Sequence, residues 1–122
     1  MTERMSAAQF KAKASKRPSK YRNVAMEVDG IRFASKREAA FYSELKIREK
    51  AGEVFEVELQ RRFALTAPNG MLMTTYVADF HFYDAIARRN RVVDVKGYET
   101  DVFKLKRKMM RALLGIEVEI VK

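Results

Sequence analysis

Two carboxylates and an ammonium group, Asp79, Asp94 and Lys96, are the residues whose types and spacing could do chemistry in this chain. Two carboxylates can hold a hard divalent cation such as Mg2+ or Mn2+, and an ammonium beside them can face a phosphate or steer a water. The sequence has no cysteine, and His81 is its single histidine. Disulfides, thiolate sites and multi-histidine zinc sites are thereby excluded. An acid-x-Lys triplet alone says little, because about one is expected by chance in a chain of this size. Glu44-Leu45-Lys46 is a second example. The two differ in setting. Glu44 and Lys46 fall in a predicted helix, where positions i and i+2 diverge by ~200°. Asp94 and Lys96 fall in a predicted strand, where i and i+2 point the same way.

The elements that must position these groups are legible in the hydrophobic pattern. Asp29-Gly30 between Met26 and Phe33 signals a tight hairpin. Ser35-Lys36-Arg37-Glu38 reads as a capping box opening a helix to about Ala51, with Ala39, Tyr42, Leu45 and Phe41 inward and Gly52 as its stop. The period then changes to two. Phe55, Val57 and Leu59 alternate with polar residues, Phe63 and Leu65 resume the alternation, and Pro68-Asn69-Gly70 is a turn. Tyr76, Ala78, Phe80 and Phe82 share one strand face, leaving Val77, Asp79 and His81 on the other. A loop near residues 87–90 leads to the strand of Asp94, whose neighbours Val93 and Val95 face the core. Thr100-Asp101 opens a second helix, with Val102, Leu105, Met109 and Leu113 inward, Phe103, Met110 and Leu114 widening the stripe, and Gly115 at its end. Ile116, Val118 and Ile120 make a last strand. The expected fold class is mixed α/β, with one sheet flanked by helices.

Composition sets the bounds. With 122 residues, 48% of them hydrophobic, the chain can build one domain with a real core. No apolar run approaches the ~18 residues of a membrane span, and no signal peptide opens the chain. Together with the missing cysteines this leads us to expect a cytoplasmic protein. The net charge of +9 is uneven: residues 1–22 carry +6 and the other 100 residues only +3. We therefore expect a basic arm over residues 1–20, including Lys16, Arg17 and Lys20, followed by a single domain over 21–122. Such an arm suits contact with a polyanion, most often nucleic acid. A solubilising tail is the plainer alternative.

The runs Val77-Ala78-Asp79-Phe80 and Val93-Asp94-Val95-Lys96-Gly97 resemble the two signature elements of PD-(D/E)XK nucleases, an acid on one strand and acid-x-Lys on the next. Glu38 matches the acid that many members carry on the preceding helix. Ala78 stands where the superfamily name has proline, a position that does not bind metal. More closely, residues 19–121 resemble a phage- and prophage-encoded family of uncharacterised proteins assigned to that superfamily. The likeness runs through Ser19-Lys20-Tyr21-Arg22-Asn23, Val28-Asp29-Gly30-Ile31-Arg32-Phe33, Ser35-Lys36-Arg37-Glu38, Leu59-Gln60, Tyr76-Val77-Ala78-Asp79-Phe80, Asp94-Val95-Lys96-Gly97 and Phe103-Lys104-Leu105-Lys106.

This resemblance implies a restriction-endonuclease-like αβββαβ core with a central mixed sheet. It implies a Mg2+- or Mn2+-dependent endodeoxyribonuclease, with Asp79, Asp94 and the Val95 carbonyl as metal ligands and Lys96 facing the attacking water and developing charge. Glu38 would add a ligand or support a second ion; it also serves as the capping partner in the local reading. Lys104, Lys106, Arg107, Lys108 and Arg111 cluster on the second helix, where they would meet the phosphate backbone or form an ordinary solvated face. Tyr98 could stack on a base. His81 reads as a packing or surface residue, and Gln60 has no evident chemistry. The expected setting is the cytoplasm of a bacterial host of a phage or prophage. Junction cleavage would call for a homodimer, and no dimer face is visible in the sequence. Two other readings stay open: a catalytically silent DNA-binding module, and a non-enzymatic RNA- or ribosome-associated protein.

Overall fold

A computed structural model describes residues 25–122. The basic arm expected over residues 1–20, with Lys16, Arg17 and Lys20, lies outside the described residues. The chain divides into two compact units at residue 36. In the first, β1 (Met26–Val28) and β2 (Ile31–Phe33) form an antiparallel hairpin with Met26 opposite Phe33. Asp29 and Gly30 have φ of 54° and 76°. Two consecutive left-handed residues are what the two-residue turn demands, and Asp-Gly meets that demand at low steric cost.

The second unit contains α1 (Lys36–Lys50), β3 (Val54–Thr66), β4 (Leu72–Asp84), β5 (Arg89–Val95), α2 (Asp101–Leu114) and β6 (Val118–Val121). Its sheet has the order β3-β4-β5-β6. The first two pairings are antiparallel, while β5 and β6 run parallel. The chain returns between those parallel strands through α2, the crossover such a pair requires.

Helix α1 buries Ala39, Tyr42 and Leu45, and the Phe41 ring lies 5.0 Å from that of Phe80. Gly52 ends the helix in the left-handed region, donating its N–H to Glu49 O while the Glu53 N–H reaches Arg48 O. At the start of β3 the expected inward Phe55 is exposed, and its neighbour Val54 is buried instead. Glu56, at φ 54°, inserts a bulge there and reverses the alternation. Along β4 the alternation holds: Tyr76, Ala78, Phe80 and Phe82 are all buried. Strand β5 is interior to the sheet, and Val92, Val93, Asp94 and Val95 are buried in succession, as in a strand covered on both faces.

Helix α2 corrects a second expectation. Val102 and Leu105 are more than half exposed and Leu113 is exposed as well. Met110 is the fully buried residue, in a core of Leu65, Tyr76, Ala78, Val92 and Val118, with Phe103 and Met109 packed against it. Apolar residues cover about half the circumference of this helix, a wider arc than the sheet covers, so periodicity leaves its rotation within that arc undecided. The aromatic contact of Phe103 with Tyr76, centroids 6.1 Å apart, goes with the observed rotation. Thr100 caps the helix by accepting the Phe103 N–H at 3.1 Å, and Gly115 closes it at φ 68°.

A braced carboxylate closes the end of β4. Asp84 is buried and accepts the N–H groups of Ile86 (2.9 Å) and Ala87 (3.0 Å). It also accepts from Arg91 Nη1 (2.9 Å) and Arg48 Nη2 (3.3 Å). Arg91 in turn clamps Glu119 through Nη2 (2.6 Å) and Nε (3.0 Å), so one network joins α1, β4, β5 and β6. The Ala87 N–H and the two guanidinium groups hold the Asp84 carboxyl well below the usual range despite its burial. No described helix is long and apolar enough to cross a membrane.

Candidate active site

Strands β4 and β5 pair from Asp84 opposite Arg89 to Phe80 opposite Val93. The next pair in register would be Asp79 and Asp94, and there the backbone ladder ends. Side chains take over. The Asp79 N–H donates to Asp94 Oδ1 at 2.9 Å, and the Val95 N–H donates to Asp79 Oδ2 at 2.9 Å. Gln60 Nε2, from β3, donates to Asp79 Oδ1 at 3.3 Å. Three of the four carboxylate oxygens are thus occupied. The fourth, Asp94 Oδ2, is buried without a hydrogen-bond partner.

That oxygen separates Asp94 from the other buried carboxylate, Asp84. Asp84 is saturated by four donors and behaves as a structural brace. Asp94 is desolvated and left one partner short, a state that costs on the order of 1–3 kcal/mol or more for a charged group. Burial pushes the Asp94 carboxyl above its ordinary range, while the Asp79 N–H and the Lys96 charge pull it down. A cation at Oδ2 would relieve the mismatch.

Lys96 follows directly on β5. Its backbone N–H donates to Val121 O at 2.9 Å, and its Nζ stands 5.0 Å from the centroid of the Phe103 ring. The first turn of α2 therefore supplies a π face that steadies the ammonium. Glu38, in the first turn of α1, belongs to the same electrostatic neighbourhood. Its carboxyl is pushed up to about 7 by burial and by the charges of Asp79 and Asp94, with Lys96 acting in the opposite sense. Glu38 on α1 thus shares the electrostatic neighbourhood of Asp79, Asp94 and Lys96.

Among the described residues no group of three His, Cys, Asp or Glu side chains forms a ready-made metal cluster. Mg2+ does not require one. It keeps several waters and is held by one or two carboxylates together with a substrate phosphate. Asp79, Asp94 and the Val95 carbonyl are a donor set of that kind, and the orphaned Oδ2 is the atom it would use.

Gln60 is the residue whose role the sequence left blank. It lies in the middle of a 13-residue strand, yet its φ is 53°. A non-glycine residue held in the left-handed region is strained by about 1 kcal/mol or more. Beside that strain, its amide meets Asp79. The only advance signal was its recurrence in the Leu59-Gln60 part of the family pattern.

The remaining candidates divide. His81 is bound to Glu58 at 3.1 Å and lies edge-on to Phe63, a packing role. Tyr98 is exposed. On α2, Lys106 donates to Thr75 O at 3.1 Å and Arg107 to Glu99 Oε1 at 3.4 Å, so both are engaged within the chain. Arg111 is exposed with Glu117 at 3.6 Å, and Lys104 and Lys108 are exposed to solvent.

Residues 18–118 match a family described as a protein of unknown function (DUF1064). The chain belongs to this family. No curated protein and no solved structure matches it. The matched span includes Glu38, Gln60, Asp79, Asp94 and Lys96, so the whole candidate site lies inside the family's shared region.

Proposed function

We propose that this chain is a divalent-cation-dependent endodeoxyribonuclease of the PD-(D/E)XK type, a phage-type phosphodiester hydrolase that nicks DNA or cleaves junctions in a structure-selective way. The observation that carries this reading is the buried, unpartnered Oδ2 of Asp94, beside Asp79, at the point where β4 and β5 part. The mixed α/β fold, with its element order α1-β3-β4-β5-α2-β6 and its central four-stranded mixed sheet, is compatible with the reading and supports it.

Asp79, Asp94 and the Val95 carbonyl would hold Mg2+ or Mn2+. When bound, such a cation supplies Lewis acidity, neutralising charge on the phosphate and acidifying water. The chain's own residues do the rest. Lys96, steadied over Phe103, faces the scissile phosphate and stabilises the charge that develops on its oxygens. Glu38, whose carboxyl is pushed up to about 7 by burial and the neighbouring aspartates in the cation-free chain, can take a proton from the attacking water or adjust the charge of the donor set. Gln60 fixes the orientation of Asp79 through Oδ1. Lys104, Lys108 and Arg111, exposed on the helix that follows the site, would meet flanking phosphates. The expected products are a 5′-phosphate and a 3′-hydroxyl.

A second reading, a DNA-binding module without catalysis, is favoured by one observation, the absence of a three-carboxylate cluster among the described residues. Incubation of the purified chain with supercoiled plasmid and with a four-way junction, with and without Mg2+, separates the two. Nicking that needs the cation and stops on chelation supports the enzyme. A salt-sensitive gel shift with no cleavage supports the module.

A further inference from the structure

The β3–β4 hairpin carries a feature that the candidate site leaves unused. Strand β4 pairs with β5 only from Phe80 onward, but with β3 from Leu72. The hairpin therefore continues as a two-stranded ribbon beyond the four-stranded sheet, and its end runs past the buried residues Leu65 and Tyr76. At that end Met71, Leu72 and Met73 are each more than half exposed. Three consecutive apolar side chains in water are an unusual use of a turn.

The tip is ordered. Asn69 Oδ1 accepts the Met71 N–H at 3.0 Å, Ala67 N–H donates to Met71 O at 2.8 Å, and Gly70 N–H donates to Ala67 O at 2.8 Å. Gly70 supplies the positive φ of 90° that closes the loop. These bonds present the apolar residues without the ordering cost of a flexible loop. Between Glu58 and Asp79 the hairpin contains Arg61 and Arg62 and no acidic residue; Arg61 is paired with Glu58, and exposed Arg62 supplies the positive charge of the ribbon. An apolar tip on a basic ribbon matches a polyanion with an apolar interior better than a protein surface.

We propose that Met71, Leu72 and Met73 form a wedge that enters branched duplex DNA and unstacks one base step at a fixed distance from the candidate catalytic centre. A two-stranded ribbon fits a DNA groove, and Leu and Met side chains are among those that part base steps. Met73 lies six positions before Asp79 on the same strand, which at ~3.3 Å per residue is ~20 Å. At ~3.4 Å per base pair that distance is about six base pairs. The wedge thereby selects DNA whose stacking is already weak, such as a branch point. This selection rests on the DNA reading above; the unstacking itself needs no cleavage.

The test uses the full chain in EDTA, bound to four-way junctions carrying 2-aminopurine at successive single positions through each arm. Wild type is expected to raise the fluorescence several-fold at one step. The triple variant Met71→Ser, Leu72→Ser, Met73→Ser is expected to lose that rise and to bind junctions about tenfold more weakly, with an unchanged salt slope because no charge is removed. A triple Leu variant at the same positions keeps the signal. Absence of any rise with wild type, or a Ser variant that binds and unstacks like wild type, overturns the wedge. Cleavage in Mg2+ that persists without unstacking overturns it while leaving the nuclease reading intact. Unstacking without cleavage supports the wedge and removes the nuclease.

Discussion

Asp79 and Asp94 replace the backbone ladder with their side chains: Asp94 Oδ1 accepts the Asp79 N–H and Asp79 Oδ2 accepts the Val95 N–H, each at 2.9 Å. The exchange holds both carboxylates at the point where their strands diverge. It also leaves Asp94 Oδ2 buried and unpartnered. A protein selected for stability alone would fill that position. One selected for chemistry keeps it open.

Asp94→Asn therefore tests function against stability. Its side-chain oxygen can still accept the Asp79 N–H, while the buried charge is gone. The variant is expected to melt about 4–8 °C higher than wild type without divalent cation, for a gain of ~1 kcal/mol in a domain this small. Nuclease activity is expected to fall by a factor of about a thousand. Calorimetry and a nicking assay on the same preparation check both halves.

The pH dependence of stability reports on the buried carboxyls, Glu38 foremost. The folded Glu38 carboxyl titrates near 7, above its ordinary 4.5. The folded state thus binds the proton more tightly than the unfolded chain, so stability from this group decreases as pH rises from 4.5 through 7. The cation-free protein should be more stable at pH 5 than at pH 8 on this account. Glu38→Gln should shrink the difference, gaining about 1 kcal/mol at pH 8 after discounting for solvent screening; what remains belongs to Asp94, whose carboxyl is also raised by burial. Asp84 and Glu119, whose carboxyls are lowered, act only at acid pH and in the opposite sense. Urea unfolding across pH 5–8 is the measurement.

Gln60→Gly separates strain from positioning. Glycine adopts the φ of 53° freely, so the backbone should lose its strain while Asp79 Oδ1 loses its donor. Stability is expected to stay level or rise by up to ~1 kcal/mol, with cleavage reduced about tenfold and the Mg2+ concentration for half-maximal rate increased. Gln60→Ala keeps the strain and should be the less stable of the two.

Asp84→Ala is the structural counterpart. It strips Arg48 and Arg91 of a buried partner, and a loss of ~3 kcal/mol is expected. Wherever the variant remains folded, cleavage per folded molecule should be unchanged.

Much of this was legible in the sequence. The Asp29-Gly30 turn, the Ala39, Tyr42 and Leu45 stripe and the alternating aromatics of β4 each follow from one strong local rule, and the structure carries all three. Of the acid-x-Lys pair, Asp94 lies in β5 as expected, while Lys96 comes just past the strand's end and is tied to β6 by its N–H. The exceptions arose where local rules compete. Glu56 shifted the alternation of β3 by a bulge, which a period-two pattern cannot announce. In α2 a wide apolar arc hid which part of it faces the sheet; Phe103 and Met110, rather than Val102 and Leu105, turn inward. The hydrogen bond from Gln60 to Asp79 depends on a strained φ and a cross-strand register, neither of which a single sequence displays.

The central claim is that the Asp79–Asp94 pair and Lys96 hydrolyse DNA with a divalent cation. Its most direct measurement is single-turnover cleavage of an end-labelled four-way junction by the full chain, beside Asp94→Ala and Lys96→Ala, in Mg2+ and in EDTA. The account predicts Mg2+-dependent cuts leaving 5′-phosphates, reduced at least a hundredfold in each variant, with junction binding in EDTA retained by Lys96→Ala. Cleavage that survives EDTA, or that Asp94→Ala performs at the wild-type rate, would contradict it.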